Sequence, residues 1–202
     1  MKQILCFGDS NTYGLIPGTK ERYGRDTRWT GLLEQHLYEK GYRIIEEGLC
    51  GRTTVFEDEL REGRKGAALL PTLLESHAPI DRVVLMLGTN DCKSLYNASA
   101  EVIGLGIEQL LKQIRKIDSD TRILLISPIQ LGEGVWEPEF DPEFNQKSVE
   151  VSKKLKNIMP ITIPITNKDT KKIKNDLLLK ILKLIFLIFF KFIFLFIYIF
   201  PF

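Results

Sequence analysis

Three short clusters of small polar residues each follow a strand-like run: Gly8-Asp9-Ser10-Asn11 after residues 4–7, Gly48 to Thr53 after residues 43–47, and Gly88-Thr89-Asn90-Asp91 after residues 82–87. In a doubly wound sheet the carboxyl ends of the strands line the ligand crevice, so the three clusters belong on one edge. Ser10, just past a strand, can present its hydroxyl with its own backbone N–H facing the same space. Gly51 has no side chain to keep a second N–H at a distance, and the Asn90 carboxamide supplies a third donor. A hydroxyl ringed by three donors is equipment for acyl transfer, in which each donor contributes on the order of 3 kcal/mol to the transition state. Taken singly the three have plainer uses: Ser10 as a helix cap or turn residue, Gly51 as a turn glycine, Asn90 as a partner for loop backbone. Asp9 and Asp91 read as supports that bond loop N–H groups and hold the turns in shape, rather than as an acid/base pair.

Together, Gly8-Asp9-Ser10, Gly51 and Gly88-Thr89-Asn90-Asp91 resemble, in order and spacing, the first three sequence blocks of the SGNH (GDSL-type) hydrolase superfamily. The stretch Asp9-Ser-Asn-Thr-Tyr-Gly14, the run Arg28-Trp29-Thr30-Gly31, and Glu46-Glu47-Gly48-Leu49-x-x-Arg52-Thr53-Thr54 further resemble its arylesterase/perhydrolase branch. The resemblance covers residues 1–150. It implies a serine esterase acting on small acyl esters, with Ser10 as nucleophile, Gly51 and Asn90 as oxyanion donors, Asn11 and Tyr13 as substrate contacts, and a homo-oligomer where the domain is intact. The family's fourth block, an Asp-x-x-His that supplies the general base, has no match. The two histidines are His36 and His77. His77 precedes the third strand and is expected at the N-terminal edge of the sheet, opposite the crevice, while His36 lies within the first helix. Without a base a serine hydroxyl is a poor nucleophile at neutral pH, so the expectation is an esterase of severely reduced activity. The alternative is a non-catalytic, membrane-anchored binding remnant of such a hydrolase.

The elements that must position these residues alternate between strand and helix, which is the pattern of βαβ units and a parallel sheet covered on both faces. Strands are expected at 4–7, 43–47, 82–87 and 122–127, the third an unbroken apolar run of the kind buried on both faces. Trp29, Leu32, Leu33 and Leu37 recur at helical spacing, with Gly41 as the stop. A second helix covers 67–75, with Pro71 near its first turn or kinking it. A third begins after Ser99 as N-cap and runs through Val102, Leu105, Leu110 and Ile114, and a fourth covers 140–155. The fold class is therefore α/β: a flavodoxin-like three-layer α/β/α sandwich with a parallel sheet, its C-terminal part incomplete. The segment 13–29 reads either as a border of the acyl pocket or an oligomer contact, or as a surface loop with Arg22, Arg25 and Arg28 solvated.

Charge divides the chain in two. Residues 1–150 carry 18 Lys and Arg against 24 Asp and Glu, whereas residues 151–202 carry 10 against 2. An acidic, well-mixed body excludes a nucleic-acid footprint, which needs a basic face on the folded domain. From Val151 onward there is no Gly, Ala, Glu, Gln, Arg or His. That tail is low-complexity and reads as the product of a slipped reading frame in A/T-rich DNA. Its competing reading is a membrane anchor formed by the apolar residues 184–202, flanked by Lys171, Lys172 and Lys174. Cys6, Cys50 and Cys92 form no CxxC pair, and no secretory signal precedes the first apolar run, so a reducing cytoplasm is expected. No cofactor is expected, since the chain has neither a Gly-rich phosphate loop nor a metal-ligand spacing.

Overall fold

The run from Arg82 to Met86 forms a strand in which every residue is buried, and it sits inside the sheet with a parallel neighbour on each side. The computed structural model describes residues 1–158. Strands β1 (Lys2–Gly8), β2 (Tyr42–Gly48), β3 (Arg82–Met86) and β4 (Arg122–Leu125) lie in the order β2-β1-β3-β4, and every pairing is parallel. Among the described residues five α-helices accompany them: α1 (Ser10–Tyr13), α2 (Trp29–Leu37), α3 (Gly66–Ser76), α4 (Ala100–Ile117) and α5 (Gln146–Ile158).

Side-chain alternation divides the core between the two faces. Ile4, Cys6, Ile44, Val84, Met86 and Leu124 pack against Trp29, Leu33 and Leu37 of α2. On the opposite face Leu5, Phe7, Val83, Leu85, Ile123 and Leu125 meet α3, α4 and α5. The result is the expected α/β/α layering, built the only way that continuous apolar strands allow, with helices on both sides.

Local details depart from the sequence reading in instructive places. α2 runs into a 3-10 turn (Tyr38–Lys40) before Gly41, at φ 82°, ends it. Pro71 is the sixth residue of α3, beyond its first turn. The carbonyl of Ala67, which a non-proline residue at position 71 would bond, instead accepts the Gln113 carboxamide of α4 at 2.8 Å. Ser99 does cap α4, its hydroxyl accepting from Val102 N at 3.4 Å. The buried stripe of α4, however, is Ile103, Ile107, Leu110 and Ile114, each worth roughly 1.5–3 kcal/mol on burial. Val102 and Leu105, expected on that face, are exposed.

α5 begins at Gln146 rather than at 140. Residues 141–144 close a turn, with Phe144 N donating to the Asp141 carbonyl at 3.2 Å. Asn145 then caps the helix: its side-chain oxygen accepts from Ser148 N at 3.0 Å while its own N–H donates to the Ser148 hydroxyl at 3.1 Å. The compositional break at Val151 falls inside α5, whose Val151 and Leu155 belong to the core. The rest of the tail, including the apolar stretch 184–202 and its slipped-frame and anchor readings, lies outside the described residues. Among the described residues no helix is long and apolar enough to cross a membrane.

Candidate active site

Gly8 at the end of β1 is in register with Gly48 of β2 on one side and Met86 of β3 on the other, so the three polar clusters leave the sheet side by side. Asp9 turns the chain into α1: its carboxylate accepts from Asn11 N at 2.9 Å and from the Asn11 side chain at 3.1 Å. Ser10 is thereby the first residue of that helix, half-buried at the carboxyl edge of the sheet. The helix packs so tightly on the end of β2 that a Cβ on Gly48 would lie 2.2 Å from Tyr13 N.

The second cluster is a turn in which Arg52 N donates to the Leu49 carbonyl at 3.0 Å. Gly51 sits in it at φ 82°, a left-handed conformation in which glycine carries no steric penalty. The Arg61 guanidinium lies where a Cβ on Gly51 would point, held by Asp58 at 2.8 Å and Glu143 at 3.2 Å. Arg52 itself folds inward and is buried. Its Nη1 donates to the Gly8 carbonyl at 3.0 Å and also to the Glu47 carbonyl, and its plane lies 4.2 Å above the Phe7 ring. Burial pulls its pKa down to about 10, against the opposing charges of Glu47 and Asp9.

The third cluster joins the second directly. Asn90, buried in a 3-10 turn (Asn90–Cys92), donates its carboxamide N–H to the Arg52 carbonyl at 3.0 Å. One amide hydrogen remains for another acceptor. Asp91 next to it accepts Thr54 N at 3.0 and 3.1 Å and also the Thr54 hydroxyl. Burial raises the Asp91 pKa to about 6 in spite of these bonds from Thr54, and the Asp9 charge adds to the rise. Asp9 is likewise pushed up by burial, against hydrogen bonds from Asn11 and the charge of Arg52. Asp91 thus spends both of its oxygens on loop geometry, and Asp9 its Oδ1.

Comparison with known proteins decides the family. The family model of the GDSL-like lipase/acylhydrolases matches residues 6–159. The chain belongs to that family. It is thus, by family, an ester hydrolase. Among solved structures, the aryl esterase of M. smegmatis is 33% identical with a TM-score of 0.67, the match covering 78% of this chain and 77% of that one. A carbohydrate acetylesterase from Sinorhizobium meliloti is 34% identical with a TM-score of 0.67, over 78% of this chain and 79% of its own. A lipase/acylhydrolase from Enterococcus faecalis, 23% identical at a TM-score of 0.52 over 78% of this chain and 71% of its own, shares the fold. No curated protein sequence gives a significant match.

Elsewhere in this acylhydrolase the side chains take partners that local sequence did not announce. His77 has its carbonyl at the N-terminal edge, where Gln3 Nε2 donates to it at 2.9 Å. Its ring, expected on the side away from the crevice, instead reaches up β2, with Nε2 2.9 Å from a carboxylate oxygen of Glu47. His36 is exposed on α2. Arg22, Arg25 and Arg28 are not simply solvated. Arg28 forms a two-pronged pair with Glu46 at 2.9 and 2.8 Å, Arg22 reaches the same carboxylate at 3.0 Å, and Arg25 pairs with Glu34. Burial works against the Glu46 charge, but Arg28 and Arg22 hold its pKa below the ordinary value. The 13–29 segment is thereby strapped to β2. Arg22 also covers the Tyr13 ring at 4.5 Å, and the Asn11 carbonyl accepts the Trp29 indole N–H at 3.1 Å, so both candidate substrate contacts are pinned by this strap. Cys6 and Cys92 lie in separate core clusters, and burial raises both thiols, Cys92 to about 12. Arg52 was legible only as part of a motif; the signal that could have singled it out is an arginine between Gly51 and Thr53, in the turn that follows β2.

Proposed function

We propose that this chain cleaves small acyl esters through an acyl-enzyme on Ser10, with the backbone N–H groups of Ser10 and Gly51 and the Asn90 carboxamide receiving the oxyanion. The observation that carries the reading is the bond from Asn90 to the carbonyl of Arg52, the residue after Gly51. It ties the carboxamide to the turn that presents the Gly51 N–H, next to the strand that delivers Ser10. Attack of the Ser10 hydroxyl on the ester carbonyl forms a tetrahedral intermediate; the alcohol leaves, and water then releases the acid. Asn11 and Tyr13, on the same short helix, border the acyl group. The name of the related carbohydrate acetylesterase supports a small acyl group.

The Ser10 proton needs an acceptor. Of the two histidines, His77 is engaged with Glu47 and His36 is exposed on α2, so the reading includes impaired turnover. What remains is a slow attack by the Ser10 hydroxyl itself, without a positioned base and assisted only by the oxyanion donors. Hydrolysis of p-nitrophenyl acetate by the chain and by Ser10→Ala tests both parts. A small rate that Ser10→Ala removes is the expected result. A rate untouched by Ser10→Ala overturns the nucleophile, and Ser10-dependent turnover at the level of an intact esterase overturns the impairment.

A further inference from the structure

We infer that Arg52 is a positioning residue for the oxyanion site, acting through the Gly51 turn and the Asn90 carboxamide. The inference rests on the ester-hydrolase reading of Ser10, Gly51 and Asn90 and adds a residue that touches neither substrate nor reacting atoms. Arg52 is tied to all three strand ends at once. Its Nη1 bonds the Gly8 carbonyl, two residues before Ser10, and the Glu47 carbonyl at the end of β2. Its own N–H closes the turn that contains Gly51, and its own carbonyl takes the Asn90 carboxamide. The relative placement of hydroxyl, glycine amide and carboxamide therefore passes through one side chain and its peptide units.

Stability alone does not call for an arginine there. A buried guanidinium loses its hydration, and an apolar side chain of similar volume fills such a space at lower cost. Its hydrogen bonds go to two neutral carbonyls, while the carboxylates of Glu47 and Asp9 act on it only at longer range. What the guanidinium adds is geometry: a rigid planar group, seated on the Phe7 ring at 4.2 Å, whose Nη1 alone holds two carbonyls from adjacent strands in fixed relation. Lysine keeps the charge but not the planar group that lies on the Phe7 ring and fixes the direction of the two N–H bonds. Misplacement of catalytic groups by about 1 Å costs on the order of 10²-fold in rate, so a small slackening matters.

The test uses phenylboronic acid, which adds to a serine hydroxyl as a tetrahedral anion and reads the oxyanion site without turnover. Adduct formation is followed by boron NMR at 10 °C on the full chain, on Arg52→Lys, on Ser10→Ala and on Leu33→Ala, a core variant on the other face of the sheet. The expected result is about a tenfold or greater loss of affinity in Arg52→Lys under conditions where its melt shows it folded. Leu33→Ala lowers the melting temperature yet binds within about twofold of wild type, which separates positioning from mere destabilisation. Arg52→Lys binding as tightly as wild type, with the adduct still lost in Ser10→Ala, overturns the positioning role alone. An adduct that survives Ser10→Ala, or none in the wild-type chain, removes the hydrolase reading and the inference with it. If Arg52→Lys gives no cooperative melt, guanidinium proton exchange in the wild-type chain decides: slow exchange at Arg52 is expected, and exchange as fast as at exposed arginines overturns the tie.

Discussion

Asp91→Asn isolates the energetic cost of the buried carboxylate that holds the second and third loops together. The asparagine oxygen can still accept Thr54 N, and its amide can donate to the Thr54 hydroxyl, so shape and most hydrogen bonding survive while the charge goes. The Asp91 pKa rises from 3.8 to about 6, burial being the main cause. Ionising it in the folded chain thus costs roughly 3 kcal/mol more than in the unfolded chain. The sign follows from proton counts. Between 3.8 and about 6 the folded state binds more protons at this site than the unfolded state, so the contribution of Asp91 is fully present below 3.8 and lost as pH rises through about 6. Urea unfolding of both chains from pH 4 to pH 7.5 measures it, and the difference between them cancels every group they share. The stability of Asp91→Asn relative to wild type should improve by roughly 2–3 kcal/mol from pH 4 to pH 7.5. A difference that stays flat within about 0.5 kcal/mol would falsify the reasoning, because it would mean that the bonds from Thr54 fully offset the burial.

Two further outcomes can be measured on the same material. Gln113→Ala leaves the Ala67 carbonyl of α3 without its donor and should cost about 1–3 kcal/mol in urea unfolding, whereas Lys112→Ala, on the exposed side of α4, should change stability by less than about 0.5 kcal/mol; equal effects would show that the carbonyl finds water instead. Of the three free cysteines, only half-buried Cys50 should react with a thiol reagent in the native chain, and all three after unfolding; prompt native reaction at Cys6 or Cys92 would contradict their burial.

Local patterning determined the skeleton of this protein. A strand buried on both faces must be apolar along its length, and the runs at 4–7 and 82–87 say so without help from the rest of the chain. The same holds for Ser99 as a cap and Gly41 as a stop, because caps and left-handed turns depend on neighbours within a few residues. The motif clusters could be assigned to strand ends for this reason. Only the tertiary structure decided which partners the side chains took. Val102 and Leu105 have helical spacing and apolar side chains, yet the stripe that faces the sheet is the one beginning at Ile103, since helix rotation is set by what it packs on. Asn145 and the 141–144 turn put the start of α5 past Phe140, the residue at which the sequence alone begins that helix. The strap of Arg22 and Arg28 on Glu46, the reach of His77 to Glu47 and the tie from Arg52 to Gly8 join residues 18 to 44 positions apart. No periodicity encodes such pairs, because their energy exists only once the sheet has brought distant chain segments together.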